Sequence, residues 1–124
     1  MSTSNKQLAL DFFSLIIAGK IDEAYETYVD MNGKHHNAFT AAGFTNLREG
    51  MKENQLQFPN KKMEVKNVLA DDDLVAVHSH LTLDPGKVEV AVVHIVRIEG
   101  EKIVEMWDCG QVLPMDGKNT DGMF

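Results

Sequence analysis

The sequence predicts an α+β fold in which N-terminal helices pack in the concavity of a strongly curved antiparallel sheet. The first observation is that apolar residues recur at helical spacing in the first half of the chain, whereas they alternate with polar residues from position 61 onward. The second is that short turn signals separate the alternating segments, as in meanders of antiparallel strands. Helices on one face of such a sheet bury both apolar surfaces, and strand twist curls the sheet around them.

The totals indicate a single domain. In a chain of 124 residues, we expect residues 1–114 to form this domain and residues 115–124 to be a mobile tail. A formal charge of −7 disfavours nucleic acid and anionic membranes as partners. The only cysteine, Cys109, allows no intrachain disulfide, so a cytoplasmic location is predicted. The longest apolar run is far below the roughly 20 residues that span a bilayer.

Three helices are predicted in the first half. Two amphipathic helices, over about 5–18 and about 21–29, follow each other so closely that they should form a helical hairpin. Gly19 supplies the stop between them. A third helix is predicted over about 45–55, although Gly50 in its middle costs about 1 kcal/mol relative to alanine.

The segment 31–43 has no clear periodicity and is predicted to be irregular. Asn32-Gly33 is a turn signal. His35 and His36 follow it directly. Because adjacent side chains point in different directions, we expect at most one of these two histidines to reach a pocket.

The second half of the chain predicts about four strands. The first two cover about 61–69 and 74–83, and the last two form a hairpin over 87–114. If the hairpin turns at Gly100, residues whose numbers sum to about 200 lie opposite each other. His94 then faces Met106, with Asp108 on the diagonal.

The hairpin should have one apolar face and one wetter face. The apolar face carries Val90, Val92, His94, Val96, Val104, Met106 and Asp108. The opposite face carries Arg97, Glu105 and Trp107, and we predict that it forms a homodimer interface.

Asp108 is the leading candidate for a functional residue. A carboxylate on an apolar strand face loses solvation in its charged form, so we expect a raised pKa, as a general acid/base near neutral pH requires. A structural carboxylate bonded to backbone amides or to a histidine is the alternative interpretation. His94 either lines the same pocket or is a neutral core histidine bonded to the backbone.

His78 and His80 stand two residues apart on one strand, so their rings share a face. That face is either pocket or solvent. A His-x-His pair can also hold a divalent metal, with Asp108, His94 or His36 completing the site. The pair lacks a nearby carboxylate on its own strand, so the metal hypothesis is the least favoured.

The residues together resemble a known family. The segments that carry the resemblance are AVHSHL, AVVHIVRIEGEKIVEMWDCGQVLP and the pair His36-Asn37. Over about residues 5–114 the chain resembles the SnoaL-like polyketide cyclases of the nuclear-transport-factor-2-like superfamily, whose cone-shaped, cystatin-like α+β fold is shared with ketosteroid isomerase. The run ending at Asp108 is similar to the family's "dGKIvEhWD", with Met106 in place of the common histidine.

The resemblance implies a cyclase or isomerase that works without a cofactor. Proton abstraction next to a carbonyl, followed by aldol-type ring closure, would use Asp108 as the acid/base and His94 and His36 as supporting histidines. The ligand would be an apolar small molecule with a carbonyl group. The expected pocket residues are His78, His80, Val92, Met106, Phe12 and Tyr28. A binding module with the same pocket but no chemistry remains the main alternative, because function on a shared fold must be argued from the site.

Overall fold

The computed structural model describes residues 4–124. It contains the three predicted helices and the four predicted strands in order, with one further strand between the second and third helices. The elements are α1 Asn5–Ile17, α2 Ile21–Tyr28, β1 Val29–His35, α3 Phe44–Gln57, β2 Lys62–Asp71, β3 Leu74–Asp84, β4 Val88–Glu99 and β5 Lys102–Val112. The α+β prediction is confirmed. No helix within the described range is long and apolar enough to cross a membrane.

The five strands form one sheet in the order β1-β5-β4-β3-β2. The pairs among β2 to β5 are antiparallel, whereas β1 runs parallel to β5. Strand β1 corrects the prediction that residues 31–43 are irregular from their start. The Asn32-Gly33 signal marks a register shift between Val29 and Lys34 within this edge strand, not a turn that ends it.

The core lies between the helices and the inward face of the sheet. At its centre the rings of Phe12 and Tyr25 are fully buried and meet edge to face, with centroids 5.6 Å apart. The helical side of this core consists of Leu8, Ala9, Phe12, Phe13, Ile16, Ile21, Ala24, Tyr25, Phe44 and Leu47, and its sheet side includes Val75, Val77, Val96, Ile98, Ile103 and Met106.

The β4–β5 hairpin turns over two residues, Gly100 and Glu101, whose φ values of 55° and 62° fit a primed hairpin turn. A register shift then occurs because β5 carries one extra residue, Val104, between Ile103 and Glu105. The predicted register is therefore wrong.

Beyond this bulge His94 lies directly opposite Asp108, and Val96 lies opposite Met106. The bulge also turns Ile103, fully buried, into the core where Val104 was expected.

The C-terminal segment returns to the outer face of the sheet, the face turned away from the helices. Phe124 stacks on His80 with ring centroids 4.5 Å apart and also lies near His78, at 5.8 Å. The last residue of the predicted tail 115–124 thus contacts two imidazole rings of β3.

Candidate functional site

A cavity of about 280 Å³ opens between α1, α3, the segment 36–43 and the concave face of the sheet. Its walls are largely apolar, and six polar side chains converge on it, which is the usual composition of a small-molecule site. The apolar side chains are Phe13, Ile16, Ile17, Phe39, Leu47, Met51, Met63 and Leu81, and the polar ones are Asn37, Thr40, Asn54, Lys61, His94 and Asp108.

Asp108 projects from β5 into this cavity and is held by Asn37. The Asn37 amide Nδ2 donates to Asp108 Oδ2 at 2.8 Å. The carboxylate is half-buried, and its cross-strand neighbour is His94. Asp108 is thus bonded to a side-chain amide, whereas the structural alternative drawn from the sequence was a bond to backbone amides or to a histidine.

Hydrogen bonds hold both the side chain and the backbone of Asn37. Its Oδ1 accepts from the backbone N–H of Phe39 at 2.8 Å, and its own backbone N–H donates to Nδ1 of His35 at 3.1 Å. Because His35 Nδ1 accepts, its Nε2 must carry the proton, which it donates to the carbonyl of Ala41 at 2.8 Å. His35 is therefore a neutral, nearly buried histidine that holds the 36–43 segment and positions Asn37 against Asp108.

His94 lies on β4 with its ring against Phe13, at a centroid distance of 4.6 Å. Its Nδ1 is buried without a hydrogen-bond partner among residues 4–124. Removal from solvent lowers the pKa of His94 to about 4, against the opposing effect of the nearby Asp108 charge. The imidazole is therefore neutral at pH 7, and Nε2 is the ring nitrogen left to meet a ligand.

Lys61 and Asn54 form a second polar group in the cavity wall. Lys61 Nζ donates to Asn54 Oδ1 at 2.9 Å, and the lysine is only 8% exposed. Burial lowers the pKa of the Lys61 ammonium. Sequence reasoning did not single out either residue. The sequence does contain a signal for Lys61. In β2 every second residue faces the same side, and Lys61 stands two positions before the cavity residue Met63.

His36 does not reach the cavity. Its Nε2 bonds Oε2 of Glu105 at 2.7 Å, and its ring stacks on Trp107 with centroids 5.2 Å apart. Glu105 and Trp107 alternate away from Asp108 along β5, so His36 lies on the outer face. The hydrogen bond from His36, followed by that from Arg97, lowers the pKa of Glu105.

His78 and His80 also lie on the outer face. The buried residues of β3 are odd-numbered, so the even-numbered histidines must point the other way. His78 bonds Asn67 at 3.0 Å and His80 bonds Glu89 at 2.8 Å. Among the residues described, no group of three or more His, Cys, Asp or Glu side chains is arranged to hold a metal ion.

The other four expected pocket residues are used in packing. Phe12, Val92 and Met106 are at most 6% exposed and do not line the cavity, and Tyr28 packs partly buried at the edge of the core. Successive residues of a helix are about 100° apart, so α1 turns Phe12 into the core and Phe13 toward the cavity. Of the predicted site residues, the structure brings only Asp108 and His94 together.

Comparison with known proteins gives a consistent family match. The SnoaL-like polyketide cyclase family model matches residues 7–116. An uncharacterized cystatin-fold protein from Novosphingobium aromaticivorans is 20% identical, with 87% of this chain and 99% of that chain covered and a TM-score of 0.75.

Two further solved structures agree in fold. A SnoaL-like polyketide cyclase from Agrobacterium tumefaciens is 16% identical over 89% of this chain and 93% of that one, with a TM-score of 0.73. IdmH from Streptomyces antibioticus, a proposed polyketide cyclase, is 15% identical over 88% and 93%, with a TM-score of 0.74. Curated protein sequences give no match. At such identities these structures support the fold alone.

Proposed function

The chain belongs to the SnoaL-like polyketide cyclase family, and from this premise we propose that it is a cofactor-independent cyclase or isomerase acting on a carbonyl-containing small molecule. The observation that carries the proposal is the oriented carboxylate of Asp108 in a mainly apolar cavity. Asn37 binds Oδ2 and leaves Oδ1 available to take a proton. The apolar walls favour a ligand whose body is hydrophobic, and the single cysteine favours a cytoplasmic site of action.

The reaction begins with proton transfer. Asp108 Oδ1 takes a proton from the carbon next to the ligand carbonyl, and the C–H electron pair moves into an enolate. Neutral His94 donates a hydrogen bond from Nε2–H to the enolate oxygen, which stabilises the developing charge. In a cyclase the enolate carbon then attacks a second carbonyl of the same molecule. The resulting alkoxide takes the proton back from Asp108, so the enzyme ends unchanged.

The test is deuterium exchange into a simple ketone, 2-tetralone, followed by proton NMR in D₂O. The wild type should accelerate loss of the α-protons over buffer, and Asp108→Asn should lower the acceleration by about 10²-fold or more. Asp116→Asn, which changes an exposed carboxylate outside the cavity, should exchange like the wild type. An Asp108→Asn protein that exchanges as fast as the wild type would rule out the acid/base role.

A binding module is the second candidate, and the Asn37–Asp108 hydrogen bond favours it. In this function the carboxylate is structural, because it anchors the segment 36–43 to β5 through Asn37. The protein would then carry a ligand without changing it. Mass spectrometry of a ligand retained on purification, before and after prolonged incubation, separates the two functions: an unchanged ligand supports the module, and a converted one supports the enzyme.

A further inference from the structure

Lys61 is a buried cation whose position differs from that of the surface lysines. It precedes β2, where its backbone N–H donates to the carbonyl of Phe58 at 3.3 Å. This contact holds it in a tight turn that points the side chain toward the cavity instead of the solvent. The next residue, Lys62, is exposed and belongs to the other face of the strand.

The hydrogen bonding of the Lys61 ammonium is incomplete. An ammonium group has three N–H donors, and in the part of the chain that the structure describes only Asn54 Oδ1 accepts from it. Over the same residues Lys61 is the one buried lysine, and it forms no ion pair with a carboxylate, unlike the more exposed Lys34, Lys52 and Lys66. Burying a cation without an anion is costly, and such charges are usually retained with a partner.

The net charge of the protein is a second argument for an anionic group of the ligand at Lys61. At a net charge of −7 the long-range field repels anions. A ligand with a negative group therefore needs a local positive charge at its binding site. Among residues 4–124, Lys61 is the only lysine or arginine that lines the cavity, together with Asn54 and Asp108.

We infer that Lys61 and Asn54 form a subsite for a carboxylate group of the ligand. The natural ligand is then an amphipathic acid, with an apolar body against side chains such as Phe13 and Met51, and its carboxylate on Lys61. The inference rests on the proposed function insofar as that places the ligand in this cavity, but it does not require Asp108 to perform chemistry.

Two probes of nearly the same shape test the inference by isothermal titration calorimetry. They are 2-naphthoate, which carries a carboxylate, and 2-acetylnaphthalene, which carries a neutral ketone in its place. The wild type should bind the naphthoate at least about tenfold more tightly, as expected for a hydrogen bond between charged groups. Lys61→Met should lose this preference by weakening naphthoate binding while leaving the ketone within about threefold. Lys62→Met is the matched control and should behave as the wild type.

Thermal melting and the variant Lys61→Arg distinguish a lost positive charge from a misfolded protein. Lys61→Met should melt at or above the wild-type temperature, because it removes a buried charge. Lys61→Arg should keep a preference for the naphthoate. Wild-type protein that binds the naphthoate no more tightly than the ketone, including no binding of either, would overturn the inference, as would a preference that survives in Lys61→Met.

The two proposals fail in distinguishable ways. A carboxylate preference without any exchange of 2-tetralone leaves the Lys61 subsite standing and removes the enzyme. Exchange of 2-tetralone that depends on Asp108, without a preference for the carboxylate probe, leaves the enzyme proposal standing and removes the Lys61 subsite.

Discussion

The two oxygens of Asp108 have different environments, and Asn37 is responsible for the difference. Its amide occupies Oδ2 at 2.8 Å, while its own carbonyl oxygen is held by the backbone of Phe39. The amide therefore cannot flip without losing both bonds. A carboxylate held in this way presents one oxygen to the cavity in a fixed direction, as proton transfer to a bound ligand requires.

His94 makes stability depend on pH. Its folded pKa of about 4 lies below the ordinary value of 6.5, so between these values the unfolded chain binds more protons than the folded one. Stability is therefore lost as the pH falls from 6.5 toward 4. The loss from this residue should be at most about 3 kcal/mol, measured as the part of the change in urea unfolding free energy between pH 7 and pH 4 that a His94→Leu variant lacks.

The variant His94→Leu should lack this part of the pH dependence, because it has nothing to protonate. His78→Leu, on the outer face, is the control and should retain the wild-type profile. A wild type and a His94→Leu variant with parallel stability curves between pH 4 and pH 7 would contradict the pKa shift.

At the residue scale, the sequence located Asp108 and His94 but not Asn37 or Lys61. The first two lie on long alternating strands, where parity alone gives the face. Asn37 acts from an irregular segment whose path depends on the His35–Ala41 contact, a tertiary interaction without a periodic signature. Lys61 is of a residue type usually found at the surface, and its inward direction follows from its parity with Met63 together with the turn at Phe58.

At the scale of an element, the β4–β5 hairpin has a register that was predicted wrongly and residue faces that were predicted correctly. The turn over Gly100-Glu101 makes opposite residue numbers sum to 201, and the bulge at Val104 raises the sum to 202. The prediction used 200, so its partners were wrong. Because 200 and 202 are both even, the faces of His94 and Asp108 were still predicted correctly. The bulge has no local sequence signal comparable to the glycine of the turn.

Gly33 in β1 is required by a close contact with β5. A Cβ at this position would overlap the Val104 carbonyl and lie 2.8 Å from the Phe44 ring. Gly33→Ala should therefore lower the free energy of unfolding by about 1–3 kcal/mol, as overpacked core positions do. The measurement is the urea midpoint at constant slope.

Gly50→Ala is the matched control for this prediction. A Cβ there would meet Thr40 no closer than 3.5 Å, an ordinary contact. It should leave stability unchanged or raise it by up to about 1 kcal/mol, since alanine is the better helix former. Equal effects of the two substitutions would show that the approach of β1 to β5 is not tight.

At the scale of the molecule, the outer face of the sheet is the surface on which we propose that a homodimer forms. Trp107 is half-buried there under His36, beside the ion pair of Arg97 and Glu105. In analytical ultracentrifugation the wild type should sediment as a dimer. The Trp107→Ala variant should shift toward the monomer of 13.9 kDa.

Met115→Ala serves as the control for assembly, because Met115 is exposed and does not belong to any of the five strands. It should sediment as the wild type does. A wild type that sediments as a monomer at every concentration, or a Trp107→Ala protein that remains a dimer, would contradict the proposed interface.

The fold class was predictable because hydrophobic period, turn signals and chain order all agree on it. Two features of the whole molecule were not. Strand β1 pairs with β5 more than 70 residues away in sequence, and Phe124 returns to β3. Both depend on contacts between distant segments, which local patterns do not encode.

His36 and Asn37 are neighbours in the chain, yet their side chains bond to opposite faces of β5. His36 bonds Glu105 on the outer face, and Asn37 bonds Asp108 in the cavity. A partner that displaces His36 from Trp107 therefore moves the residue next to the one that directs the carboxylate. One peptide bond thus joins a residue on the proposed dimer surface to the residue that holds Asp108, so a substitution at His36 should also shift the position of the Asp108 carboxylate.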